Sequence, residues 1–136
     1  MLGVDYVGEN YDEAYIRDLL KQLTGLGCKT AVLTGVSFAP GQIGAMAYDA
    51  ATDTYASYFN EKLPVSFHGT GDVFASALAA LLVRGAPLSA ALETATALTD
   101  ESICRSLWRD TPRRFGVDFE GALPAYIRRV EKIFEA

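Results

Sequence analysis

The decisive stretch is Val65-Ser66-Phe67-His68-Gly69-Thr70-Gly71-Asp72-Val73-Phe74-Ala75. It reads as a short buried strand, a tight turn on two glycines, and the start of a long apolar helix. Glycines at 69 and 71 let backbone N–H groups converge with no Cβ atoms in the way. The first turn of a helix adds N–H groups that have no intrahelical partner, and the positive end of the helix dipole. Such a cradle suits an anion, most naturally a phosphate. Asp72 stands at its mouth, where a carboxylate can take a proton from a hydroxyl. The same residues have a plainer reading, because Gly, Thr and Asp are ordinary helix-start residues whose short side chains satisfy orphan N–H groups. A dipole that keeps Asp72 ionised leaves it ready to accept a proton but makes it a weaker base. The surroundings have to decide.

A chain of 136 residues, half of them hydrophobic and 21% charged, is globular in composition and long enough to bury a core. The net charge of −5 leaves no basic stripe to neutralise a nucleic-acid backbone. Arg113-Arg114 and Arg128-Arg129 are isolated pairs that read as solvated positions. No apolar run reaches the length of a bilayer span, and the opening Met1-Leu2-Gly3-Val4-Asp5 is unlike a signal peptide. Two distant cysteines, Cys28 and Cys104, and one histidine offer no metal-ligand spacing. The expectation is a reduced, cytoplasmic protein without a metal site of its own, and with neither nucleic acid nor membrane as a partner.

Working outward, Leu2-Gly3-Val4-Asp5-Tyr6 looks like the end of an element. Asp12-Glu13 opens a helix whose apolar face is Tyr15, Ile16, Leu19, Leu20 and Leu23, stopped by Gly25 and Gly27. Lys29 to Thr34 reads as a strand buried on both faces, as in a parallel sheet. Thr34-Gly35-Val36-Ser37 then lies at the strand's carboxyl end, where open α/β sheets place ligands. Ile43–Tyr48 and Thr54–Phe59 form an expected antiparallel hairpin. After the glycine turn, a helix from Thr70 to about Val83 carries Val73, Phe74, Ala77, Leu78, Leu81 and Leu82 on one face. Ala75, Ser76, Ala79 and Ala80 on it are small enough to pack closely on a sheet. A helix begun by Pro87 runs to about Trp108, with Ala91, Leu92, Ala95, Leu98 and Ile103 inward. A polar loop over 110–118 follows. A last helix, from about Gly121 to Phe134, is expected to bury Leu123, Ile127, Val130 and Phe134. Helix, strand, hairpin, strand and three helices is the order of the carboxyl half of an α/β sandwich.

With His68-Gly69-Thr70-Gly71-Asp72-Val73-Phe74-Ala75 in this order, and strand-end Thr34-Gly35 a few tens of residues earlier, the chain resembles the ribokinase-like superfamily. The likeness is to the carboxyl-terminal half of its pyridoxal/pyridoxamine (vitamin B6) kinase branch, and it covers essentially all 136 residues. The resemblance implies an α/β fold, the carboxyl-terminal half of a three-layer α/β/α sandwich. It implies Asp72 as the base that deprotonates the substrate hydroxymethyl group. It also implies Gly69, Thr70 and Gly71 as the anion hole for the transferred phosphoryl, with Thr34 and Gly35 along the ATP phosphates or ribose. Ser37 is an ATP-binding candidate that also reads as a simple loop cap, and His68 reads as structural, with phosphate contact as its other reading. The implied reaction is ATP-dependent phosphorylation of the 5′-hydroxymethyl of pyridoxal or pyridoxamine, with the complete protein a homodimer.

Members of that superfamily are about twice as long. Their vitamin-binding residues, their lid and an Asn-x-x-Glu motif associated with Mg²⁺ would fall upstream of Met1. Residues 1–136 are therefore expected to be a single partial domain, with the N-terminal half of the kinase absent. Two other readings stay open: a hydroxymethylpyrimidine or sugar kinase of the same superfamily, and a non-catalytic nucleotide-binding remnant.

Overall fold

In the computed structural model, residues 2–109 and 116–135 are described. They fall into two compact units, Met1–Lys62 and Leu63–Ala136.

The first unit is one helix on a three-stranded sheet. Helix α1 (Glu13–Thr24) begins where the Asp12 carboxylate accepts the Tyr15 N–H at 2.9 Å, a side-chain cap of the usual kind. Strands β1 (Thr30–Val36), β2 (Gln42–Asp49) and β3 (Thr54–Glu61) pair antiparallel in the order β1-β2-β3. The hairpin expected from residues 43–59 is thus present. No parallel neighbour of Lys29–Thr34 lies among the described residues: there β1 pairs antiparallel with β2 alone, with Thr34 and Gly35 exposed. The strand buried on both faces is β2, where Ala45, Met46, Ala47 and Tyr48 in succession are buried. An apolar run without alternation marks a central strand, but it does not say which strand is central. Ile16 and Leu20 of α1 pack against Ala31, Val36, Met46 and Tyr48 to make the core of this unit.

The second unit is helical. Helix α2 (Thr70–Val83) buries Phe74, Ala77, Leu78 and Leu81, and α3 (Leu88–Trp108) answers with Ala91, Leu92, Ala95 and Leu98. Three buried hydroxyls on α3 are satisfied within the helix, as Thr96, Ser102 and Ser106 donate to the carbonyls of Leu92, Leu98 and Ser102. A 3₁₀ turn (Glu120–Ala122) leads into α4 (Leu123–Phe134).

Three local expectations are corrected. Val65–Phe67 forms no strand, and only Phe67 of the three is buried; three residues carry too little pattern to separate a strand from an anchored loop. Helix α4 buries none of its residues, and Ile127 is 52% exposed. Ala75, Ser76, Ala79 and Ala80 of α2 are exposed, and Ile103 is half-buried. Thr111-Pro112 and Arg113-Arg114 lie outside the described residues, whereas Arg128 and Arg129 are exposed, as expected.

Candidate active site

The glycine turn opens α2 in a way that sets it apart from α1. Gly69 occupies the cap position at φ +85°, a conformation that costs little only without a Cβ. The first helical bond runs from Val73 N–H to the Gly69 carbonyl at 3.0 Å. The N–H groups of Thr70, Gly71 and Asp72 therefore lie ahead of the ladder. No side chain caps them. The Thr70 hydroxyl, the nearest candidate, instead donates to the Phe67 carbonyl at 3.3 Å. A Cβ at either Gly69 or Gly71 would meet nothing within 4 Å, so the space over these amides is open. Asp72 is in the first turn and exposed, as is His68 before the turn. Converging amides, a dipole end and open space fit a phosphate-sized anion, and the adjoining carboxylate adds a proton acceptor.

In the first unit the predicted strand end is built around a bulge. Thr34 pairs with Ala45 and Val36 with Gly44, which leaves Gly35 as the extra residue at φ +69°. Left-handed backbone at such a bulge is why glycine stands there. Opposite it, Gly44 has no room for a side chain: a Cβ would press on the Tyr58 carbonyl and lie 2.7 Å from Phe59 Cα. The Ser37 hydroxyl donates to the Ala39 carbonyl at 3.0 Å, and its N–H donates to the Tyr11 hydroxyl at 3.0 Å. The loop-cap role is thus satisfied locally. Thr34 and Gly35 line a cleft of about 370 Å³ with Asp5, Tyr6, Tyr11 and Tyr15. Tyr11 was not singled out by sequence reasoning. Its one signal is a place just before the Asp12 cap of α1, which does not disclose a bond 26 residues away.

Among the described residues no group of three His, Cys, Asp or Glu side chains is placed to hold a metal ion. Nor is any described helix long and apolar enough to cross a membrane. A second groove, about 340 Å³ between α2 and α4, is lined by Ala80, Leu81, Arg84, Tyr126, Ile127 and Val130. Burial raises the Tyr126 phenol above its ordinary pKa, and its hydroxyl is bonded to the Ala77 carbonyl.

Comparison with known proteins bears on the fold and the family. The chain's fold is that of a Bacteroides thetaiotaomicron protein assigned to the phosphomethylpyrimidine kinases, at 21% identity and TM-score 0.78. That match covers 95% of this chain and 42% of the other. Pyridoxal kinase from Lactobacillus plantarum matches at 28% identity and TM-score 0.73, over 86% of this chain and 42% of that one. Pyridoxal kinase from Leishmania donovani, solved with ADP and pyridoxine, matches at 18% identity and TM-score 0.68, over 93% of this chain and 43% of its own. This chain thus spans a little over two fifths of the length of these structures, and its fold is the ribokinase-like α/β fold they share. No curated protein matches it in sequence. The profile of the phosphomethylpyrimidine kinase family aligns with residues 7–111, from the approach to α1 through both glycine-marked segments and the whole of α3. On that match the chain belongs to the phosphomethylpyrimidine kinase family.

Proposed function

We propose that this chain carries the anion hole and the catalytic base of an ATP-dependent kinase acting on the 5′-hydroxymethyl group of pyridoxal or pyridoxamine, a step of pyridoxal 5′-phosphate salvage. The observation that carries the proposal is the start of α2. Three N–H groups ahead of the helical ladder, left uncapped by any side chain, share one turn with the Asp72 carboxylate. The family match and the pyridoxal kinase neighbours support the same reading.

In this mechanism the Asp72 carboxylate accepts the proton of the substrate hydroxymethyl as its oxygen bonds to the γ-phosphorus of ATP. The bond from that phosphorus to the bridging oxygen breaks, and ADP leaves with the electron pair. Gly69, Thr70 and Gly71 hold the equatorial oxygens through backbone N–H groups, where negative charge must be stabilised in an in-line transfer. Thr34, Gly35 and Ser37, in the first unit, are the ATP-binding candidates of this reading. Mg²⁺ would neutralise phosphate charge; its ligands are assigned to polypeptide outside this chain, as are the vitamin pocket and lid. Residues 1–136 then act as a partial domain of a larger cytoplasmic kinase, homodimeric when complete.

The family description names a phosphomethylpyrimidine and so favours a pyrimidine, with hydroxymethylpyrimidine the acceptor to try. A sugar kinase of the same superfamily and a non-catalytic nucleotide-binding remnant are the other readings. ADP release from Mg-ATP, measured with pyridoxal, pyridoxamine, hydroxymethylpyrimidine and a no-substrate control, separates them. Turnover dependent on a B6 vitamer supports the proposal. Preference for the pyrimidine selects the sister kinase. ATP binding with no turnover on any acceptor, in a protein that includes the upstream coding sequence, selects the remnant.

A further inference from the structure

The glycine turn is backed by a segment that the sequence gives no reason to associate with it. After α3 the described chain resumes at Gly116, whose φ is +79°. A Cβ on Gly116 would lie 3.4 Å from the His68 carbonyl oxygen, its nearest neighbour among the described residues. The Gly116 backbone therefore passes close beside the peptide that joins His68 to Gly69. That peptide is planar, so whatever fixes the His68 oxygen also fixes the direction of the Gly69 N–H.

Two residues further on, Asp118 holds this segment to α3. Its N–H donates to the Ser106 hydroxyl at 2.7 Å, and Ser106 is fully buried. Its Oδ1 accepts the Gly121 N–H at 3.3 Å. Its Oδ2 lies 3.3 Å from Arg109 Nη1 and 3.9 Å from Arg105 Nε, and the side chain is only 11% exposed. Gly121 completes the clasp, because any Cβ there would run into the Arg105 guanidinium. The two guanidinium groups pair with Oδ2 by charge alone, since neither Oδ2 nor Arg105 Nε has a hydrogen-bond partner, so the backbone is fixed by the bonds to Ser106 and Gly121.

We infer that Asp118 is a positioning residue for the anion hole, acting through Gly116 on the His68–Gly69 peptide. This rests on the reading of Gly69–Gly71 as a phosphate cradle, and it adds the part that sets the cradle's geometry. Asp118 touches neither substrate nor phosphate. It holds residues 116–118 on α3, and Gly116 supplies the φ of +79° at which this backbone passes the His68 carbonyl, a conformation that L side chains rarely adopt.

The test is ¹⁵N NMR on the chain, with inorganic phosphate as the probe, comparing wild type with Asp118→Asn, Gly116→Ala and the exposed control Glu120→Gln. Both test variants are expected to move the Gly69–Gly71 amide resonances and lower their order parameters. Phosphate affinity is expected to fall roughly threefold or more, while Glu120→Gln leaves all three unchanged. Gly116→Ala keeps the test decisive if Asp118→Asn does not fold. If wild type binds no phosphate, the cradle reading fails, yet the order parameters still decide the inference. Unchanged Gly69–Gly71 resonances and order parameters in folded Asp118→Asn or Gly116→Ala would overturn it.

Discussion

The Thr70 hydroxyl donates to the Phe67 carbonyl, 3.3 Å behind it, instead of capping the helix that Thr70 begins. Asp12, in contrast, puts its carboxylate on the Tyr15 N–H at the head of α1. Two helices of one chain thus end their N-terminal ladders differently. The uncapped one has open space over Gly69 and Gly71. A glycine at the cap position forgoes only a few tenths of a kcal/mol, and α3 and α4 also begin without a side-chain cap, so what sets α2 apart is the open space over its two glycines.

The two glycines of that turn should separate stability from binding. Gly69 at φ +85° admits alanine only with backbone strain, so Gly69→Ala should cost about 1–2 kcal/mol. Gly71 lies inside the helical run with nothing within 4 Å of a Cβ. Gly71→Ala should therefore stabilise by about 0.5–1 kcal/mol. The added methyl stands beside the cradle, however, and should lower phosphate affinity roughly tenfold if it disturbs one charge-assisted N–H bond. Urea unfolding and a phosphate titration read the two effects separately. Gly71→Ala binding phosphate as tightly as wild type would show that the open space has no part in binding.

Asp72→Asn should remove the proton acceptor and leave the amides in place. Acceptor-dependent turnover is expected to fall about 10²–10⁴-fold, the usual contribution of a positioned base, with little change in the affinity for ATP. The variant should unfold within about 1 kcal/mol of wild type, since its cost is the loss of one charge at a helix N-terminus. Steady-state kinetics of ADP release measures the first, and thermal unfolding the second. Undiminished turnover in Asp72→Asn would move the base elsewhere.

How far the sequence could be read follows the range over which each signal acts. Helix α2 was expected from Thr70 to about Val83 and is found there, because apolar spacing and glycine stops act within a few residues. The Ile43–Phe59 hairpin was legible for the same reason. Edge and centre were not: β1 and β2 carry similar apolar runs, and only pairing on both sides makes β2 central. The α4 stripe of Leu123, Ile127, Val130 and Phe134 was legible as periodicity, while its burial depends on what lies beside it. In the candidate site, Gly69–Asp72 could be read as one contiguous motif. Gly116 and Asp118 could not, since nothing local ties a late loop to the His68 carbonyl.

Gly44 offers a test of the first unit alone. Its missing side chain lets β3 approach so closely that a Cβ would press on the Tyr58 carbonyl and Phe59. Gly44→Ala should destabilise by about 1–3 kcal/mol or more, as overpacking against backbone does. Gly35→Ala meets no atom within 4 Å and should pay only for its φ of +69°, about 1–2 kcal/mol. Urea midpoints that place Gly35→Ala as the more damaging of the two would contradict the bulge and its close-packed neighbour.

Tyr48 gives the unit a pH dependence whose direction is fixed. Its hydroxyl donates to Asp53 Oδ1 at 2.9 Å, and Lys21 Nζ lies 3.9 Å from the same oxygen. That hydrogen bond, with burial and the nearby carboxylate charge added to it, raises the Tyr48 pKa above its ordinary value of 10.0. A phenol that must stay protonated to donate binds its proton more tightly folded than unfolded. The stability it supplies is therefore complete below about pH 10 and is lost as the pH climbs through the raised value. Tyr48→Phe lacks both the bond and the titration. Wild type should be the more stable at about pH 8, and the two should converge as the pH rises through the raised Tyr48 value. Urea midpoints across that range measure the gap. A gap that stays constant to the alkaline end would mean that the bond to Asp53 does not hold the Tyr48 proton.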